Sequence, residues 1–221
     1  MKSWKDLKYS IVHVVANKEL AEGAYLISFK RDFEFLAGQV VALGVDPSIP
    51  PRLYSIASGE SDDLVEILYT EKSGGELTPL LSTLRVGDNL MVSSPFGTFT
   101  QVTDDAVYVA AGTGIAPFMS KIKSKKGANP MLIHGVSFPE YFYFADYLQE
   151  NLERKYIQCC SRYQSDDFFL GRVTQFLKGW DGLNPNKKFY LCGSAEMVVD
   201  TRDVLIARGV PFGNINAEIY F

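Results

Sequence analysis

The chain has 221 residues, a hydrophobic fraction of 47% and a charged fraction of 22%, which is the composition of an ordered globular protein rather than a disordered one. A net charge of -4, with no long basic run interleaved with aromatics, argues against nucleic acid as a partner. No apolar run is long enough to span a bilayer, and Met1-Lys2-Ser3-Trp4-Lys5-Asp6 lacks the apolar core of a signal peptide. The expectation is a cytoplasmic protein with no membrane partner, taken as a monomer. The length suits one large domain or two of about 100 residues each.

Residues 1 to 101 read as short strands with turn punctuation: Ser10-Ala16, Ala24-Phe29, Val40-Val45, Arg52-Ala57, Leu64-Thr70 and Asn89-Ser94. Strands at that spacing predict an antiparallel β-barrel. The fourth carries Arg52-Leu53-Tyr54-Ser55-Ile56-Ala57-Ser58. Alternation puts Arg52, Tyr54 and Ile56 on one face and Leu53 with Ser55 on the other. An Arg fork suits a diphosphate, and a Tyr beside it offers a ring to lie against an isoalloxazine. Ser55 adds a small donor for the flavin N5 and O4 edge. The competing reading is an ordinary strand with Tyr54 in the core and Arg52 at a solvated edge.

Between the last two strands lies one helix signal. Thr78 can cap it, Pro79 occupies the favoured first position, and the apolar run to Leu84 stops before Gly87-Asp88. It follows Gly74-Gly75, so the amides of Gly75, Leu77 and Thr78 are candidates to hold the same diphosphate as Arg52. The alternative is a capped helix after a flexible turn.

After Pro95-Phe96-Gly97-Thr98-Phe99 the rhythm changes. Strands are expected at Val107-Ala111, Met131-His134, Tyr156-Cys160 and Phe189-Cys192, with helices after Pro117, at Phe142-Leu152 and at Glu196-Arg208. Alternation of this kind predicts a parallel sheet covered by helices, and so a second, α/β domain over 102–221 after a first over 1–101. Gly112-Thr113-Gly114-Ile115-Ala116-Pro117 follows a strand and opens a helix, where a phosphate-binding turn belongs, although Pro117 breaks the G-x-G-x-x-G pattern. His134, ahead of Gly135, reads as structural. Cys159 and Cys160 read as buried apolar residues, and the three cysteines are too few for a conventional iron–sulfur site. No metal is expected, and any one-electron carrier must be a separate protein.

Taken together, Arg52-Leu53-Tyr54-Ser55, Gly112-Thr113-Gly114-Ile115-Ala116-Pro117, Ser161-Arg162, Cys192-Gly193 and Glu218-Ile219-Tyr220-Phe221 occur in the order of the ferredoxin-NADP reductase family, which the chain resembles over residues 52 to 221. The resemblance implies an FAD flavoprotein that takes a hydride from NADPH and exchanges single electrons with ferredoxin or flavodoxin. It implies that Thr113, on the turn formed by Gly112, Gly114 and Pro117, reaches toward the nicotinamide. Ser161 and Arg162 would grip the 2′-phosphate, with Arg172 as a further cation. Tyr163 stands where an acidic residue often follows that pair, and Asp166-Asp167 lie close by; the alternative for Arg162 is a surface ion pair with them.

The same resemblance puts Cys192 near the nicotinamide C4, Glu218 near the nicotinamide or flavin N5, Tyr220 on the isoalloxazine face opposite Tyr54, and Phe221 toward the FAD adenine. A terminus of that kind should be tied down rather than loose. The rivals are a reductase component of an oxygenase, a free flavin or quinone reductase, and an FAD-binding electron-transfer subunit of a larger complex.

Overall fold

A computed structural model describes residues 7–220, so Phe221 and the first six residues lie outside the described residues. Contacts divide the chain into two compact units: residues up to Thr100 together with Ala116–Ser124, and Gln101–Ile115 together with the remainder from Lys125.

In the first unit, strands β1 (Tyr9–Ala21), β2 (Ala24–Lys30), β3 (Val40–Gly44), β4 (Arg52–Ser55), β5 (Leu64–Thr70) and β6 (Asn89–Ser93) form an antiparallel sheet in the order β4-β3-β6-β1-β2-β5. The first strand is longer than expected because it serves two partners: Tyr9–His13 pair with β6, and Val14–Ala21 pair with β2 through two register shifts. Its alternating Val12 and Val14 point into a core with Ile27, Phe29, Val41, Leu43, Ile67 and Leu90. The two edges of the sheet meet just beyond β4. Ile56 bridges to Ile67, and the Ala57 amide donates to the Glu66 carbonyl at 2.8 Å. That closure makes the sheet a barrel, since it leaves these edge groups paired.

Helix α1 (Thr78–Thr83) lies over the barrel with Leu77 and Leu81 in its core. Asn17 reaches its C-terminal end from β1, donating from Nδ2 to Leu81 O at 2.8 Å and to Leu84 O at 3.1 Å. Helix α2 (Ala116–Lys123) also groups with this unit. Lys123 Nζ lies 2.6 Å from Glu66 Oε2, the Glu60 amide donates to Ser124 Oγ at 2.8 Å, and Phe118 packs edge-on against Phe99. The buried Lys121 lays its ammonium over the Phe99 ring, 4.5 Å from the centroid.

The second unit is a parallel sheet of β7 (Val107–Ala111), β8 (Met131–Val136), β9 (Tyr156–Cys160), β10 (Phe169–Leu170), β11 (Phe189–Ser194) and β12 (Ile215–Tyr220), in the order β10-β9-β8-β7-β11-β12. Helices α3 (Ala145–Leu152), α4 (Val173–Gly179) and α5 (Ala195–Ala207) accompany it. The chain lays down β7 to β10 in one direction, then returns to place β11 on the other side of β7. The order therefore reverses between β7 and β11. Ser194 caps α5 by accepting from the Met197 amide at 3.3 Å.

Helix α3 starts three residues later than the pattern suggested. Phe142 is drawn into the interior, edge-on to His134 and packed on Phe168, and Phe144 then takes a left-handed φ of 61° before the helix begins. Strand β10 and helix α4 were not foreseen. No helix among the described residues is long and apolar enough to cross a membrane.

Candidate functional site

On the barrel, β4 presents Arg52 exposed and Tyr54 half-buried on one face, while Ser55 is 2% exposed and Leu53 is 52% exposed. Tyr54 packs its ring edge-on to Tyr69 at 6.2 Å between centroids, and Tyr69 in turn stacks on Tyr25. Burial pushes the Tyr54 phenol up to about 12, while the neighbouring Arg52 guanidinium pulls it the other way. The phenol is therefore neutral at ordinary pH, and cation and ring are near neighbours. Arg52 itself has only weak anchors, the carbonyls of Pro50 at 3.3 Å and Pro51 at 3.4 Å. A planar fork held this loosely can turn to meet an anionic oxygen pair, so the strand fits a group that joins a diphosphate to a flat ring.

The glycine turn before α1 differs from expectation. Thr78 does not cap the helix: Leu77 is the N-cap residue, and no side chain caps it. Gly74 takes a φ of 71° and folds the loop back, so that Thr78 Oγ1 accepts the Lys72 amide at 2.8 Å. The Gly75 amide donates to the Lys72 carbonyl, also at 2.8 Å. The expectation that Gly75 offers a free amide for an anion therefore fails, because that donor is spent within the turn. Thr78 is the first residue of α1, and its hydroxyl closes the preceding loop rather than capping the helix.

In the parallel sheet the expected residues collect at the carboxyl ends of the strands. Gly112–Ile115 leave β7 as a 3-10 turn that runs directly into α2, with Gly112 at a φ of 52°. Gly114 is pressed against β11: a Cβ there would lie 2.3 Å from the Cys192 carbonyl oxygen. Pro117 is buried in the first turn of α2, and Thr113 is half-buried on the turn. Cys192 is fully buried in β11, opposite Ala110 of β7 on one side and Glu218 of β12 on the other. The tail is tied down as expected. It forms β12, an edge strand, in which Tyr220 pairs with Ser194.

Ser161 and Arg162 follow β9, their amides donating at 3.0 Å to the carbonyls of Val136 and Ser137. The Arg162 guanidinium lies over the Phe138 ring, 5.9 Å from its centroid. The alternative for Arg162, an ion pair with Asp166 or Asp167, does not form among the described residues, and Asp167 instead accepts from the Ser165 hydroxyl at 3.0 Å. Arg172 is the N-cap residue of α4, and its Nη1 lies 3.4 Å from Glu196 Oε1 at the start of α5. Glu196 was not anticipated beside that cation.

The sequence reads His134 as structural but does not identify its partners. It is wholly buried, with Nε2 3.2 Å from the Gly112 carbonyl oxygen and Nδ1 3.2 Å from the Tyr156 hydroxyl. Burial depresses its pKa to about 4, so the ring is neutral. Burial also pushes the Cys159 thiol up to about 12, which makes it unreactive.

A parallel sheet whose strand order reverses beside a glycine turn defines a nucleotide-binding α/β class of protein. Residues 108–203 match the oxidoreductase NAD-binding domain family. The chain is 31% identical over 223 residues to the ferredoxin–NADP reductase of Pseudomonas aeruginosa, covering 84% of this chain and 85% of that protein. It is 30% identical over 216 residues to the toluate 1,2-dioxygenase electron transfer component of Pseudomonas putida, covering 91% of this chain but only 64% of that protein. A crystal structure of a ferredoxin NADP+ reductase from Neisseria gonorrhoeae with bound FAD and NADP superposes with a TM-score of 0.89 at 25% identity, over 98% of this chain and 100% of that one. The chain belongs to the ferredoxin–NADP reductase family of oxidoreductases.

Proposed function

We propose that the protein is an FAD-dependent NADP(H) oxidoreductase that exchanges a hydride with NADPH and single electrons with ferredoxin or flavodoxin. Residues 1–101 would serve the flavin and 102–221 the nicotinamide nucleotide. The observation that carries this reading is the Gly112–Ile115 turn at the carboxyl end of β7, beside β11 where the strand order reverses. Arg162, unpaired with its neighbouring aspartates, stands at the end of β9, two strands away.

Arg52 would neutralise the FAD diphosphate, Tyr54 would offer its ring to the isoalloxazine, and Ser55 would serve the N5 edge. When bound, FAD converts a two-electron hydride into single-electron steps. The protein's own work is positioning, and it needs no nucleophile and no metal. Ser161, Arg162 and Arg172 would receive the 2′-phosphate. Thr113, with Cys192 and Glu218 directly opposite each other on β11 and β12, would orient the nicotinamide. Tyr220 would shield the flavin ring until nicotinamide displaces it, and Phe221 would lie toward the adenine.

Anaerobic titration of the FAD-loaded protein with NADPH, and in parallel NADH, tests this through bleaching of the visible flavin band. Rapid bleaching by NADPH alone is expected; bleaching by neither would remove the reductase reading, and failure to retain FAD would remove the flavin clamp. The similarity to an oxygenase electron transfer component favours one second reading, a reductase that feeds an oxygenase. Steady-state kinetics with ferredoxin, flavodoxin and free flavin as acceptors separate the two.

A further inference from the structure

We propose that His134 is a positioning residue for the nicotinamide nucleotide, acting through the Gly112–Thr113 peptide plane; this rests on the nucleotide-binding reading of the turn. His134 sits on β8, opposite Ala110 of β7, and β7 is the strand that delivers the turn. Its Nε2 meets the Gly112 carbonyl oxygen at 3.2 Å. A carbonyl can only accept, so Nε2 carries the proton and Nδ1 is the acceptor. The Tyr156 hydroxyl, 3.2 Å from Nδ1, then donates to it. Burial holds that phenol in its protonated form, consistent with its role as donor.

The ring has no freedom to choose another partner. It is stacked on Tyr156 and met edge-on by Phe142, with centroids 6.4 Å and 5.6 Å away. His134 is thus a rigid donor fixed on a strand and aimed at the first residue of the turn.

The consequence lies on the other side of the peptide bond. In a planar trans peptide the C=O and the following N–H point in opposite directions. Fixing the Gly112 carbonyl toward His134 therefore turns the Thr113 N–H away from the interior. Thr113 is the second residue of the 3-10 turn, where amides lack intrahelical acceptors and attract anionic oxygens. Gly112 at a φ of 52° has little steric preference of its own, since a Cβ there would meet nothing within 4 Å. The i→i+3 bonds of the 3-10 turn hold that peptide plane from within. His134 adds a second, side-chain donor on the same carbonyl oxygen from the neighbouring strand, while the contact of Gly114 with Cys192 fixes where the turn sits.

The test uses the FAD-loaded full chain. His134→Phe keeps the ring packing and removes the donor, whereas His134→Gln retains an amide N–H able to reach the carbonyl. The expected result for His134→Phe is NADP+ affinity about tenfold weaker, the typical scale for losing one buried hydrogen bond. The KM for NADPH should rise in parallel, with kcat at saturation and FAD retention unchanged, and His134→Gln should recover most of the loss. Nitrogen-15 spectra of histidine-labelled wild type, simple because the chain has two histidines, should show His134 protonated at Nε2. Unchanged NADP+ affinity in His134→Phe, or protonation at Nδ1, would overturn the proposal; if that variant does not fold, the tautomer decides. A wild-type protein that binds no NADP+ at all would instead overturn the nucleotide reading beneath it.

Discussion

Gly114 and Cys192 are in backbone contact so close that no side chain fits between them: a Cβ on Gly114 would lie 2.3 Å from the Cys192 carbonyl oxygen and 2.9 Å from the Gly193 amide. Neither obstacle is a flexible side chain. Gly114→Ala must therefore push the turn off β11, and the expected cost is about 1 to 3 kcal/mol of stability together with a loss of NADP+ affinity. Gly112→Ala is the control. It meets open space and pays only for its left-handed φ of 52°, about 1 kcal/mol. Thermal unfolding and NADP+ titration of the two variants should rank Gly114→Ala as the more damaging; equal effects would mean that the contact with β11 is not what the glycine is for.

Lys123 and Glu66 tie helix α2 to the barrel across 2.6 Å, with side chains only 19% and 24% exposed. A pair this shielded lies between the surface case, where removal costs little, and the buried case, where the abandoned partner is costly. Lys123→Met should lose roughly 2 kcal/mol by that interpolation, and adding Glu66→Gln should recover part of the loss by relieving the stranded carboxylate. A double-mutant cycle by urea unfolding measures the coupling. Additive losses would show the pair to be energetically idle.

His134 makes stability depend on pH. Burial holds its pKa down to about 4 in the folded protein, against a weaker opposing hydrogen bond to Gly112, compared with an ordinary value of 6.5. Between those values the unfolded chain binds a proton that the folded chain refuses, so stability rises with pH through this window and is lost as pH falls. Above about 6.5 the residue contributes nothing further. The full span amounts to about 3 kcal/mol. Urea midpoints measured for wild type and His134→Gln should show a shallower slope for the variant between pH 4 and 6.5; parallel slopes would mean that the ring is charged when folded.

Periodicity marked the barrel strands and the alternating second half because each rule is local. Val12 and Val14 alternate inward on β1, and the apolar run of β7 is what a strand buried on both faces requires. What stayed hidden depends on pieces far apart in sequence. The Gly112–His134 bond exists only because β7 and β8 are neighbours, and the capping role expected of Thr78 failed because Lys72, six residues earlier, competes for its hydroxyl. The late start of α3 has the same origin: Phe142 obeys a pocket made by His134 and Phe168 rather than the helical pattern around it. At the candidate site, sequence supplied the residue types and strand ends. It could not supply the ion-pair choices of Arg162 and Arg172, which depend on loop geometry.

Glu196 moderates the cation expected to read the 2′-phosphate. Its Oε1 lies 3.4 Å from Arg172 Nη1, with both side chains mostly exposed, at 74% and 68%. Such a pair is weak and screened by salt, so a doubly charged phosphate arriving nearby can compete for the guanidinium. The carboxylate nevertheless repels that phosphate. Glu196→Gln should therefore lower the KM for NADPH by about two- to fivefold, the scale of a surface charge pair, while leaving NADH unaffected because it carries no 2′-phosphate. The gain should fade at high ionic strength. Arg172→Ala should move NADPH the opposite way, and Arg162→Ala further still, since Arg162 forms no ion pair with Asp166 or Asp167 among the described residues. Steady-state kinetics with both cofactors at low and high salt check this ordering, and equal shifts for NADPH and NADH in the arginine variants would remove the 2′-phosphate from the role of Arg162 and Arg172.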